Sequence, residues 1–296
     1  MKVLGWLGLV WRFVAVAIAF VIFGVVGVVF QLVLWPLKPH RQPPAGESGE
    51  VPGPGRSGGD QGLQPPGSAE RDQPHQDHAA RNHALRRQLL ARRIVAFSWR
   101  FLVRYMVLSG LITLRMQGLE RLGRPGQLIL ANHPSLLDVL FFIGHVPGLN
   151  CVVKADLLSN PSMSAAIRAC GFVPNDDSGS ILAEADAVLR DGQALLIFPE
   201  GTRTGWDGLI RLNRGAVSIG LRSATVITPV VVRMTPPGLK KGQPWYKIPF
   251  SRYRCELLVG DDIDPRDWLA EKPLPIASRR LTEYLQAYFT GETTRP

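Results

Sequence analysis

The sequence predicts an α/β protein with a largely parallel central sheet flanked by helices, preceded by an N-terminal transmembrane helix and an interfacial helix. Three observations predict it. From about residue 111, short apolar runs alternate with helical patterns, as in chains that pack helices on a parallel sheet. Residues 13–35, "FVAVAIAFVIFGVVGVVFQLVLW", contain no charge. Residues 80–116 join a basic helical pattern to a strongly apolar one that still carries arginines.

The first segment is residues 1–38. A helix over 13–35 is roughly 34 Å long at about 1.5 Å per residue, enough to cross a bilayer. A signal peptide would be shorter and would end at a small-x-small cleavage site. Arg12 interrupts the longer apolar run from Val3, which leaves the first turns free to lie in the interface. Lys38 and Arg41 follow the span, and Arg81, Arg86, Arg87, Arg92 and Arg93 come later. The positive-inside tendency then puts the rest of the chain on the cytoplasmic side of the inner membrane.

Residues 39–80 read as a disordered linker, rich in Pro and Gly and without apolar periodicity. Residues 81–116 follow as a basic, interfacial helical segment. Its arginines surround Leu85, Leu89 and Leu90, and Arg100 and Arg104 lie one turn apart among Phe, Trp, Leu and Tyr. That composition suits a helix lying in the membrane interface, and equally a surface helix packed on the domain core.

The folded domain is residues 117–296, with its first strand beginning just before it. Strands are expected at 111–117, 127–131, 150–154, 193–198, 226–233 and 253–259. Helices are expected at 134–145, 160–169, 179–190, 213–223 and 276–289. Ser178 or Ser180 would cap the helix at 179–190, and Gly192 would end it.

Charge narrows the partners. The formal net charge is +10, from 34 Lys+Arg against 24 Asp+Glu, which points to a polyanion. There is no helix-turn-helix, zinc-finger spacing or RNA-binding motif, so an anionic lipid bilayer is favoured over nucleic acid. Cys151, Cys170 and Cys255 are odd in number and widely spaced, which reads as reduced cysteines, not as a disulfide or zinc framework.

Two stretches could carry chemistry. "ANHPSLLD", residues 131–138, follows the strand at 127–131 and puts His133 at a sheet's carboxyl edge, where ligands bind in open α/β folds. Asp138 is five positions on, too far round a regular helix to meet His133. The two meet only if His133 lies outside the helix and folds back over its first turn, and Pro134 makes that break plausible. A carboxylate holding one imidazole nitrogen would leave the other free as a general base. An ordinary strand-to-helix loop is the alternative. "LLIFPEGTRTGWDG", residues 195–208, likewise ends an apolar strand at a charged loop. Gly201 permits close backbone approach, and Arg203 offers a donor fork for phosphate or carboxylate. A Glu200–Arg203 ion pair is the alternative there.

Together the stretches resemble the phospholipid and glycerol acyltransferase family, in its lysophosphatidic acid acyltransferase branch. The N-H-x₄-D motif stands as Asn132 to Asp138, and F-P-E-G-T-R-[ST] as Phe198 to Thr204; the later strand Val226-Ile227-Thr228-Pro229-Val230 also fits. The resemblance covers roughly residues 95–290. It implies a glycerol-phosphate acyltransferase-like fold. It implies that His133 deprotonates an acceptor hydroxyl, that Asp138 orients it, and that Glu200, Gly201, Thr202 and Arg203 form the acceptor-binding loop. It further implies acyl-CoA or acyl-carrier protein as donor, a lysophospholipid as acceptor, most simply 1-acylglycerol 3-phosphate, and neither a metal nor a bound cofactor. No serine nucleophile is needed, in keeping with the lack of a G-x-S-x-G elbow.

One departure bears on the acceptor. Where the family often has an arginine in a middle motif, this chain has Asn175, followed by Asp176 and Asp177. Lys154 and Arg168 are the nearby cations that would compensate. The departure leaves room for a different specialised lipid or glycolipid hydroxyl as acceptor. An idle lipid-binding protein is the reading from another class, and the intact His133/Asp138 pair opposes it.

Overall fold

Strand β2 (Gln127–Ala131) is buried along its whole length, as expected of a strand covered on both faces. Its side chains alternate. Leu128 and Leu130 enter one apolar core, while Ile129 and Ala131 enter the other. The computed structural model describes residues 2–34, 73–175, 180–244, 246–247 and 249–294.

In chain order the elements are α1 (Lys2–Val33), α2 (Gln73–Leu108), β1 (Ile112–Gln117), β2, α3 (Asp138–His145), β3 (Asn150–Lys154), α4 (Ser164–Cys170), β4 (Val173–Asn175), α5 (Ser180–Arg190), β5 (Leu195–Ile197), α6 (Arg214–Ser223), β6 (Val226–Thr235), β7 (Tyr253–Val259), α7 (Pro265–Glu271) and α8 (Leu274–Thr294). The sheet has the order β1-β7-β6-β2-β5-β3-β4. β6, β2, β5, β3 and β4 are mutually parallel. β7 runs antiparallel to β6, and β1 is parallel to β7, so the two strands at one edge are reversed. The predicted α/β class with a largely parallel sheet therefore stands.

The core on one face joins the sheet to α1, α2, α3 and α4, and the core on the other joins it to α5, α6 and α8. Every predicted strand and helix from 111 onward is present, three strands with the expected bounds and the other elements with shifted ends. The helix expected at 134–145 begins only at Asp138, because Ser135 and Asp138 bond each other and hold residues 132–137 out of helical register. α2 begins at Gln73, inside the stretch expected as linker, with Pro74 in the first turn where a missing N–H costs nothing. It stops at Leu108, earlier than 116, and Gly110 takes the left-handed turn (φ 74°) that leads into β1. Residues 39–72 of the predicted linker lie outside the described residues, as does Ser178, while Gly192 does close α5 with φ 73°.

α1 is docked along the domain. Trp11 Nε1 donates to Ser109 O at 2.9 Å, and Tyr105 Oη donates to Ala15 O at 3.1 Å. At Gly27 any Cβ would come within 2.8 Å of Ser162, so glycine lets the helix lie against the loop before α4. Ala15 and Leu34 are buried, whereas Val21, Val25, Val28 and Leu32 on the outer face are exposed. Gly8–Val33, 26 residues, is long and apolar enough to cross a membrane.

Candidate active site

The site is assembled at the carboxyl ends of β2 and β5. Asn132, directly after β2, is buried and bonds both backbone groups of Val232 on β6, accepting from its N–H at 2.7 Å and donating to its O at 2.8 Å. That fixes where the chain leaves the sheet. His133 then lies outside α3, and Nδ1 sits 2.9 Å from Asp138 Oδ2. The fold-back expected from Pro134 is observed.

Asp138 is fully buried and held on three sides. Ser135 N–H donates to Oδ2 at 2.8 Å, and Ser135 Oγ–H donates to Oδ1 at 2.5 Å. Ser135 Oγ in turn accepts from Leu137 N–H at 3.1 Å. With Asp138 accepting from Nδ1–H, His133 Nε2 carries a free lone pair and can take a proton. Phe198 stacks on the imidazole, centroids 4.1 Å apart and 22° between planes, so water is kept from one ring face.

The second loop is tied to the first. Glu200 Oε1 accepts from His133 N–H at 2.8 Å and from Thr204 Oγ at 3.0 Å, and Thr204 N–H donates to His133 O at 2.7 Å. Burial is the main influence on Glu200 and raises its carboxyl above the ordinary value, against the pull of these hydrogen bonds. No Glu200–Arg203 ion pair forms among the described residues. Arg203 Nη1 instead donates to Leu239 O at 2.8 Å, and burial lowers its guanidinium from the usual value, with the Asp138 charge opposing. Gly201 adopts φ 68°, a conformation that suits glycine at this turn.

A cavity of about 670 Å³ opens at His133. Gly201, Thr202, Arg203, Asn175 and Lys154 line it, so five of the six binding candidates meet His133 around one space. Glu200 is outside the lining and faces the His133 backbone. Asp138 stands behind the imidazole. Most of the remaining wall is apolar and comes from α1, α2, α3 and α4, including Phe23, Trp99, Leu102 and Ile167. Lys154 is largely exposed and ion-paired with Asp156, and Arg168 is absent from the lining.

Several contributors were not singled out from sequence. Ser135 had a signal, because Ser135-x-x-Asp138 has the spacing of a capping box. Thr204 closes the second motif. Lys240 had none: buried, it donates to Thr204 O at 3.2 Å and Gly205 O at 2.5 Å and so braces the loop from a distant segment. The three cysteines are free and buried, and burial pushes each thiol up to about 12, so none is poised as a thiolate nucleophile.

The segment that holds both motifs is similar to known proteins. Residues 113–233, which hold both motifs, match the family model described as Acyltransferase. A 1-acyl-sn-glycerol-3-phosphate acyltransferase of Pseudomonas aeruginosa is 27% identical over 168 residues, covering 54% of this chain and 63% of that protein. The alpha form from Ovis aries is 30% identical over 178 residues, covering 56% of this chain and 59% of its own length. The chain thus spans about three fifths of these relatives. The crystal structure of the 1-acyl-sn-glycerophosphate acyltransferase of Thermotoga maritima shares the fold, with a TM-score of 0.51 and 19% identity over 73% of this chain and 82% of that one. Over residues 113–233, which hold both motifs, the chain is similar to the acyltransferases, and its fold is like that of the Thermotoga maritima protein.

Proposed function

We propose that this protein transfers an acyl chain from a thioester, acyl-CoA or acyl-carrier protein, to the free hydroxyl of 1-acylglycerol 3-phosphate. The observation that carries the reading is the His133–Asp138 pair at 2.9 Å, opening on a large, mainly apolar cavity that Arg203 also lines. His133 Nε2 takes the hydroxyl proton as the oxygen attacks the thioester carbonyl carbon. Asp138 stabilises the imidazolium that forms. The tetrahedral intermediate then collapses, the C–S bond breaks, and the thiolate leaves and is protonated, with the imidazolium as the nearest proton source. No acyl-enzyme forms on this route. The apolar wall takes the acyl chains, and Arg203 and the Gly201-Thr202 backbone face the acceptor's phosphate.

The outer face of α1, apolar and exposed, supports seating in the cytoplasmic membrane, with the domain on the cytoplasmic side where donor is available. A net charge of +10 favours anionic lipid headgroups.

The test is acyl transfer by purified protein, read by lipid mass spectrometry against a panel of lysolipids. Wild type should form phosphatidic acid, and His133→Ala should lose acceptor-dependent thiol release by roughly 10²-fold or more while keeping the wild-type unfolding temperature. A His133→Ala protein with full activity would remove the general-base assignment. Product from glycolipid or other hydroxyls alone would replace the acceptor, and no product from any acceptor would leave a binding protein.

A further inference from the structure

We propose that Arg12 of α1 binds the phosphate of the acyl acceptor, supplying from the N-terminal helix the cation that position 175 lacks. This deepens the function proposed above and rests on its phosphorylated acceptor.

Arg12 lines the same cavity as His133 and Arg203, and no Asp or Glu is among the lining residues. Its Nε is buried with no hydrogen-bond partner among the described residues, and no carboxylate there pairs with it. An arginine cannot shed its charge, so a guanidinium set in an apolar helix calls for an anion. The phosphate of a bound substrate would provide one.

The surrounding contacts set α1 beside the end of α2 and the start of β1. Trp11 and Ala15 are tied to Ser109 and Tyr105, at the end of α2. Three residues on from Ser109, Ile112 pairs in register with Tyr253. Tyr253 packs on Gly238 so closely that a Cβ there would collide with the Tyr253 hydroxyl. The next residue, Leu239, accepts the hydrogen bond from Arg203. Tyr253 is itself in the lining, and its buried hydroxyl also lacks a partner among the described residues. Arg12, Tyr253 and Arg203 thus line one cavity, and the segments that carry them are neighbours in series. At the other edge of the sheet, Asn175 pairs in register with Lys154, whose ammonium is engaged by Asp156.

The experiment uses the full chain in mixed micelles. Arg12→Gln should raise KM for 1-acylglycerol 3-phosphate about tenfold, the loss of one charge-assisted contact, and leave KM for the thioester unchanged. Arg12→Lys should recover part of it. In the His133→Ala background, which blocks turnover, Arg12→Gln should weaken binding of 1-acylglycerol 3-phosphate and not of 1-acylglycerol. Equal weakening for both ligands, or an unchanged KM, overturns the proposal. So does loss of sedimentation with phosphatidylglycerol vesicles at unchanged KM, which would assign Arg12 to bulk headgroups. The two readings fail separately. Wild type that makes no phosphatidic acid yet binds the phosphorylated lysolipid through Arg12 sinks the reaction and keeps this contact. Active wild type with an indifferent Arg12→Gln sinks only the contact.

Discussion

Glu200 Oε1 accepts the backbone N–H of His133 at 2.8 Å, joining two loops 67 residues apart in sequence. The carboxylate positions the proposed base through its backbone and leaves the imidazole free for Asp138. Glu200→Gln keeps an oxygen acceptor at this place and should retain most activity. Glu200→Ala leaves two donors unpaired and should lower kcat by about tenfold or more.

The burial of this carboxyl gives a pH signature. Burial raises the Glu200 carboxyl above the unfolded value, so the folded protein holds this proton over a window where the unfolded chain has lost it. Stability from this group is fully present below the unfolded value and falls as pH rises through the raised one. Thermal unfolding of wild type and Glu200→Gln across pH 4 to about 8 should show this decline in wild type only. Parallel curves would mean that Glu200 titrates normally.

Asp138 should separate orientation from binding. Asp138→Asn can no longer fix the Nδ1–H tautomer, and kcat should fall by roughly 10²–10⁴ with little change in KM for donor. Ser135→Ala removes the Oγ donor to Asp138 Oδ1 and the acceptor for Leu137 N–H but keeps the Ser135 N–H bond, so a loss nearer tenfold is expected. Steady-state kinetics with both variants checks the order. A Ser135→Ala protein as impaired as Asp138→Asn would show that the loop, and not the carboxylate, is the sensitive element.

The parts legible in sequence were those written in local pattern. β2 is a buried, mainly apolar run, and the break at Pro134 was readable because His133 and Asp138 could not meet on a regular helix. α7 had a local signal too, since Asp264 caps it and Pro265 opens it, yet the segment is short and its pattern weak. What stayed hidden depends on contacts between distant segments. Nothing near Lys240 in sequence tells of its bonds to Thr204 and Gly205. The reversed β1–β7 edge follows from pairing across the chain, which periodicity does not encode. The docking of α1 was hidden for the same reason, because an apolar helix looks alike whether it faces lipid or protein.

That docking makes α1 part of the cavity wall. Phe23 and Trp99 line the large cavity and also a small void of about 10 Å³ beneath it, bounded by Gly27, Phe30 and Ser162. Leu102, Met163 and Ala166 also line both spaces. Phe23→Ala removes a ring that lines both and should join the void to the cavity, at a site where α1 is held by other contacts. Each further methylene that a longer acyl chain could bury there is worth about 0.8 kcal/mol, roughly fourfold in kcat/KM. The ratio of kcat/KM for a longer thioester over a shorter one should therefore rise in Phe23→Ala by that factor per added methylene until the void is filled. Competition between thioesters of graded length measures it. An unchanged ratio, with activity intact, would show that the acyl chain does not reach Phe23.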